Sequence, residues 1–231
     1  MPESRLLACG SALRPVWCVR AMPSLRQILQ EHSPLLLIDA ASARIQVGML
    51  DTVAPGRWSA RSDEAGVGIF ECLEELGVEI GLVRSFAYCD GPGSILGIRT
   101  SAMALRTWNV LGPRPMYGYF SLAVVARAAG RPQAGVIADA RRGLWHHFAD
   151  GGTLARLPAA ELSGELLTPE GFRHWEPLPP GTAVTPYDLP SLLALPHVAN
   201  ADLFRRTEAP DAFLHQEPSY AKWTPQIHRA P

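Results

Sequence analysis

The chain has 231 residues, 47% hydrophobic and 19% charged, enough apolar material for a buried core and too much for a disordered chain. Its formal charge of −1 and isoelectric point near 6.7 exclude a global basic field of the kind that draws a protein to nucleic acid. Cys9, Cys18, Cys72 and Cys89 form neither a CxxC pair nor a disulfide framework and fit reduced thiols in a cytoplasmic protein, and no apolar run approaches the ~20 residues of a membrane span.

Residues 1–33 read as a loosely ordered extension. Leu6-Leu7-Ala8-Cys9 has the form of a lipoprotein cleavage site but no apolar segment precedes it, and Met22 is a second candidate initiator. A short helix is predicted over Ser24–Glu31, where Leu25, Ile28 and Leu29 share a face. A first lobe is expected over 34–130. Leu35–Ile38 is a strand ending at Asp39, Ile45–Met49 returns as a hairpin, and Trp58 and Ala60 mark a third strand. Ser62 or Asp63 is placed to cap a helix with Val67, Phe70, Leu73 and Leu76 at helical spacing, ended by Gly77. A strand over Leu82–Tyr88 leads through Cys89–Ser94 into a long helix, Ile95–Leu111, broken at Gly112-Pro113. Met116–Tyr119 is a short strand, after which Ser121 is positioned to cap a helix reaching Ala129.

At Gly130-Arg131-Pro132 the pattern starts again. Gly135–Ala138 ends at Asp139, and Leu144–Phe148 returns, so Asp39 and Asp139 sit one hundred residues apart in matching contexts. The 81 residues beyond Asp150 hold 12 of the 21 prolines, so the second lobe, 131–231, should be smaller and irregular. A strand hairpin with an aspartate at the end of its first strand, occurring twice, resembles the duplicated actin/Hsp70-like (ribonuclease H-like) α/β fold, two lobes each with a mixed sheet and helices. In active proteins of that architecture paired carboxylates face a metal-bound nucleotide phosphate. The turns there favour glycine and hydroxyl residues, because backbone N–H groups must approach the phosphate closely. Here they read Asp39-Ala40-Ala41 and Asp139-Ala140-Arg141, and the first has neither glycine nor hydroxyl.

Gly91-Pro92-Gly93-Ser94-Ile95-Leu96-Gly97-Ile98-Arg99 joins a strand to a helix, with Ser94 placed as the cap. It is not a Walker loop, since no lysine follows Gly97. Two readings stand: a tight turn with close backbone packing at Gly97, or an anion site at the helix start. At these residues the sequence resembles the TsaB (YeaZ) family, whose hallmark run is Gly-Pro-Gly-Ser-Phe-Thr-Gly-Leu-Arg. Asp39 corresponds to the aspartate of the family's Asp-Thr-Ser, with Ala40 and Ala41 replacing the hydroxyl residues. Asp139-Ala140-Arg141-Arg142-Gly143 matches its Asp-Ala-Arg-Arg-Gly hairpin, and Glu217–Lys222 resembles its closing Pro-x-Tyr-x-Arg.

The resemblance, over roughly residues 34–225, implies a subunit without catalysis of its own. It would partner a TsaD-like transferase that moves threonylcarbamoyl from its adenylate to tRNA, joined by a TsaE-like ATPase. It implies no cofactor, with ATP or ADP only at the partner interface, tRNA only within the complex, and self-association when alone. The departures at Ala40-Ala41 and Ile95-Leu96 leave room for altered nucleotide contacts.

Other chemistry finds less support. The superfamily's older metallopeptidase label would need histidine pairs, but no HxxxH or HExxH occurs, and His146 and His147 would point to opposite faces of a strand. Arg141-Arg142 is either a solvated hairpin tip or a phosphate or RNA contact. Asp39 and Asp139 serve either as retained turn residues or as the metal pair of a free-standing phosphotransferase or ATPase. The helix over Ile95–Leu111 carries apolar residues on more than one face and so needs two partners, its own sheet and either another chain or the rest of this chain around a fully internal helix. The resemblance directs one face to another chain, together with the preceding helix. Ile69, Cys72, Leu76, Met103 and Leu111 are the expected interface residues, with Phe70, Leu73 and Leu105 serving the core.

Overall fold

The computed structural model describes residues 22–212. Cys9, Cys18, the cleavage-like Leu6–Cys9 and the closing Glu217–Lys222 lie outside the described residues.

Helix α1 (Leu25–His32) starts at Ser24, whose hydroxyl accepts from the Gln27 N–H while the Gln27 side chain accepts from the Ser24 N–H. Its Leu25, Ile28 and Leu29 are buried in the main core. The extension expected to be loosely ordered through residue 33 is therefore packed from α1 onward, because a capped helix with one apolar stripe buries that stripe.

The first sheet is built from β1 (Leu35–Asp39), β2 (Ile45–Leu50), β3 (Arg57–Arg61), β4 (Ser85–Gly91) and β5 (Met116–Phe120). The order is β5-β4-β1-β2-β3, with β1–β2 and β2–β3 antiparallel and β1–β4 and β4–β5 parallel. Central strand β1 is buried at every residue, which is why it reads as an unbroken apolar run rather than an alternating one. The second sheet repeats this plan with β6 (Gly135–Asp139), β7 (Leu144–Ala149), β8 (Ala155–Pro158), β9 (Leu166–Pro169) and β10 (Ala183–Thr185), ordered β10-β9-β6-β7-β8 with the same strand directions. This is the duplicated α/β fold of two mixed sheets that the twin aspartate hairpins indicated.

Helices α2 (Ala65–Glu75) and α3 (Ile95–Leu111) cover the first sheet and touch each other. Helix α4 (Ser121–Ala129) contacts β4 and β5 as well as β6 and β7, and Ser121–Ala126 are all buried. The short helices α5 (Leu189–Ala194) and α6 (Pro196–Ala199) pack on α4. Strand β11 (Arg205–Thr207) then returns to the first sheet, antiparallel to β5. The second lobe thus does not keep all of 131–231: residues 205–207 complete the edge of the first.

Several boundaries differ from the sequence expectation. Helix α2 begins after Glu64, and neither Ser62 nor Asp63 caps it. Ile80–Leu82 forms a 3₁₀ turn, so β4 starts only at Ser85. Ser121 does not cap α4. It is a buried first-turn residue whose hydroxyl donates to the Pro92 carbonyl at 2.7 Å, tying the glycine-rich turn to the central helix.

Candidate functional site

Asp39 ends β1 with no exposed surface. Its Oδ1 accepts from the Ala41 N–H at 3.0 Å, and its Oδ2 accepts from the hydroxyls of Tyr119 at 2.6 Å and Tyr187 at 2.7 Å. Burial raises its pKa above the ordinary carboxylate value, and the two phenols and the amide offset part of that rise. Tyr119 reaches it from the end of β5, whereas Tyr187 comes from the segment before α5. That segment is held in turn by Gln46, whose side chain donates to the Tyr187 carbonyl at 3.0 Å and accepts from the Leu189 N–H at 2.9 Å. Arg44 pairs with Asp188 at 2.9 Å, and the Ala43 N–H donates to the Gly171 carbonyl. Asp39 is thus enclosed by these segments and fully buried.

The glycine-rich turn closes the same ground. Gly91 and Pro92 are buried, Gly93 and Ser94 exposed. Gly93 has φ 153°, and a Cβ there would meet the Ala41 carbonyl oxygen. A Cβ on Gly97 would collide with the Ala40 carbonyl oxygen. The Ser94 N–H donates to that of Ala41 at 2.7 Å, while the Ser94 hydroxyl caps α3 at the Gly97 N–H. Of the two readings of this motif, close backbone packing accounts for both glycines. Ala40 and Ala41 are the surface against which they pack, chiefly through their backbone carbonyls. Arg99, the last motif residue, lies exposed on α3 and forms an ion pair with Asp211 at 3.8 Å.

Asp139 occupies a different setting. Its Oδ1 accepts from the Arg141 N–H at 2.6 Å and its Oδ2 from the N–H groups of Trp175 at 2.7 Å and Glu176 at 3.3 Å. Asp39 and Asp139 share no hydrogen-bond partner. Beyond Asp139 the hairpin runs through Arg141 (φ 63°), Arg142 (φ 57°) and Gly143 (φ 71°). Two successive left-handed arginines cost roughly 1–2 kcal/mol each. The Arg141 guanidinium lies 5.1 Å from the centre of the Trp175 ring.

A third carboxyl, Asp90, carries no motif in the sequence that marks it. It is buried on β4 beside Arg205, which also lies over the Phe120 ring. Burial pushes its pKa up to about 6, against the lowering effect of Arg205. A cavity of about 240 Å³ nearby, between α1 and β11, is lined by Ile28, His32, Tyr117 and Arg205 among others and includes neither Asp39 nor Asp139. Among the described residues no three His, Cys, Asp or Glu side chains cluster in a way that could hold a metal ion, and no helix is long and apolar enough to cross a membrane.

The helical face needs a correction. Ile69 and Cys72, expected to face outward, are completely buried, and Leu73 and Leu105 are buried with them. Phe70, assigned to the core, is 51% exposed, and Val67 accompanies it. The stripe at 69, 72 and 73 packs toward β2 and β3, because Gly68 lets α2 approach Ile45 where a side chain would obstruct it. Met103 at 56% and Leu111 at 80% do face outward, joined by Leu96 and Val110, while Leu76 is half-buried at the end of α2. Leu96, Met103 and Val110 recur every seven residues and so line one side of α3. Phe70 meets Trp108 edge-on across the seam, with ring centres 6.4 Å apart.

No protein-family model and no curated protein matches the sequence. Solved structures do. YeaZ from Pseudomonas aeruginosa superposes with a TM-score of 0.53 at 18% identity, over 70% of this chain and 89% of that one. A crystal structure described as an uncharacterized protein with similarity to peptidase YEAZ from Pseudomonas aeruginosa gives 0.51 at 18% identity, over 81% of this chain and 99% of that one. The chain has the fold of YeaZ.

Proposed function

We propose that this protein is a non-catalytic scaffold subunit of an assembly that forms N6-threonylcarbamoyladenosine in tRNA, where it binds and stabilises a TsaD-like transferase. The observation that carries the reading is the closure of the Asp39 turn. Two tyrosine hydroxyls fill one carboxylate oxygen, and the glycine-rich turn packs against Ala40 and Ala41. Its counterpart is the exposed apolar face of α2 and α3, with Val67, Phe70, Leu96, Met103, Val110 and Leu111, which soluble chains seldom leave uncovered. The shared YeaZ fold and the matched Gly-Pro-Gly-Ser and Asp-Ala-Arg-Arg-Gly runs support the same reading. A TsaE-like ATPase is the expected third member, with any nucleotide held at subunit interfaces.

The rival reading is a free-standing nucleotide-dependent phosphotransferase using Asp39 and Asp139. ATP turnover by the purified chain separates the two. The scaffold reading expects no turnover above buffer and no change in Asp39→Asn or Asp139→Asn. Hydrolysis that disappears in either variant would establish the rival.

A further inference from the structure

The hairpin after β6 serves neither the core nor the α2–α3 face, yet it is rigidly built. One carboxylate, that of Asp139, receives the N–H groups of Arg141, Trp175 and Glu176, so the hairpin and the 173–176 loop are locked together. The loop is braced again where the His174 Nδ1 donates to the Glu176 carbonyl at 3.0 Å. This frame holds an indole that is 61% exposed, with the Arg141 guanidinium 5.1 Å from its ring centre. Arg142 and Arg173 are exposed, and the acids of the frame are Asp139, whose oxygens accept backbone N–H groups, and Glu176.

We propose that Trp175 and Arg141 form a stacking platform for single-stranded nucleic acid, with one base on the open face of the indole and flanking phosphates at Arg142 and Arg173. Each part of the arrangement has a use in that role. An indole backed by a cation on one side offers its other side to a planar base, and base stacking on an aromatic ring accepts any base. Exposed arginines next in sequence to the platform residues would neutralise the backbone. The left-handed conformation of Arg141 and Arg142, which glycine would adopt more cheaply, places two guanidinium groups at the tip of one hairpin. A duplex hides its base faces, and an acidic peptide would occupy the arginines while leaving the indole unused; the geometry therefore favours an unpaired strand. The inference goes beyond the scaffold reading and is separable from it. It concerns the second lobe, whereas association with a partner runs through α2 and α3.

Fluorescence anisotropy of labelled, unstructured oligouridine and oligoadenosine with the whole chain provides the test. Both should bind saturably, and Trp175→Ala should weaken binding roughly tenfold while Trp175→Phe recovers most of it. Arg142→Glu, at an exposed position, should weaken binding and lower the salt dependence by about one phosphate contact. Polyglutamate should fail to displace the oligonucleotide. Absent binding, binding undiminished in Trp175→Ala, or displacement by polyglutamate would each overturn the proposal. Should Trp175→Ala prove unfolded by circular dichroism, the Arg142→Glu and Trp175→Phe pair decides it by the same criteria. A hairpin variant that loses RNA but keeps a TsaD-like partner would leave the scaffold reading standing, and the converse holds for α3 variants.

Discussion

Asp39 and Asp90 lie near the ends of neighbouring strands, and each is a carboxyl taken out of water, but their surroundings differ. Asp39 is satisfied by two phenols and an amide, whereas Asp90 depends on Arg205 and leaves its Oδ1 without a hydrogen-bond partner among the described residues. Asp90 has a folded pKa of about 6 against an ordinary 3.8, so its ionisation opposes folding. For a raised carboxyl, the stability contribution is greatest below the unfolded value and declines as pH climbs toward the folded one. The Asp90→Asn variant lacks that decline. Its stability relative to the unsubstituted chain should therefore improve between pH 4 and pH 7 in parallel urea titrations, and a relative loss over that range would mean that the Arg205 pair outweighs desolvation. Gly97 gives a simpler case. A Cβ there meets a backbone carbonyl that no rotamer change can move, so Gly97→Ala should cost about 1–3 kcal/mol by chemical denaturation. An unchanged unfolding midpoint would show that the turn can open.

At the level of elements, the two helices on the first sheet divide cleanly between core and solvent. Ile69 and Cys72 point into the sheet, and Leu96, Met103 and Val110 form an outward stripe on α3. The helix hydroxyls do not compromise that stripe, since Thr100 and Thr107 donate to the carbonyls of Leu96 and Met103 at 2.9 Å. Charge substitutions should separate the two faces. Ile69→Glu buries an unpaired charge and should cost on the order of 4 kcal/mol or more, enough to abolish the folded circular dichroism signal. Met103→Glu should change stability by no more than about 0.5 kcal/mol while suppressing self-association in sedimentation velocity. If Met103→Glu unfolded the chain, its side chain would belong to the core.

Over the whole molecule, the duplicated topology was legible because it rests on local pattern. An apolar run, an aspartate and a return strand occur twice, and the helix Ile95–Leu111 has the predicted bounds. The phase of α2 was not legible, since Phe70 and Ile69 are both apolar and only the close approach at Gly68 decides which one faces the sheet. Long-range partners were hidden for a different reason. Nothing near Tyr187 signals that its hydroxyl crosses 148 positions to Asp39, or that Arg205 closes on Asp90 from an added edge strand. Tyr119 could have been suspected, because parallel β1, β4 and β5 bring their C-terminal ends together. The fold encloses the Asp39 carboxylate and leaves Val67, Phe70, Leu96, Met103 and Val110 exposed on α2 and α3.

The most direct test of the scaffold proposal is the association of the purified chain with a TsaD-like protein, followed by isothermal titration calorimetry. The account predicts a 1:1 complex with a negative heat-capacity change from apolar burial, lost in Met103→Glu and in Phe70→Glu while both variants remain folded. No complex with the unsubstituted chain, or a complex that both variants retain in full, would contradict it.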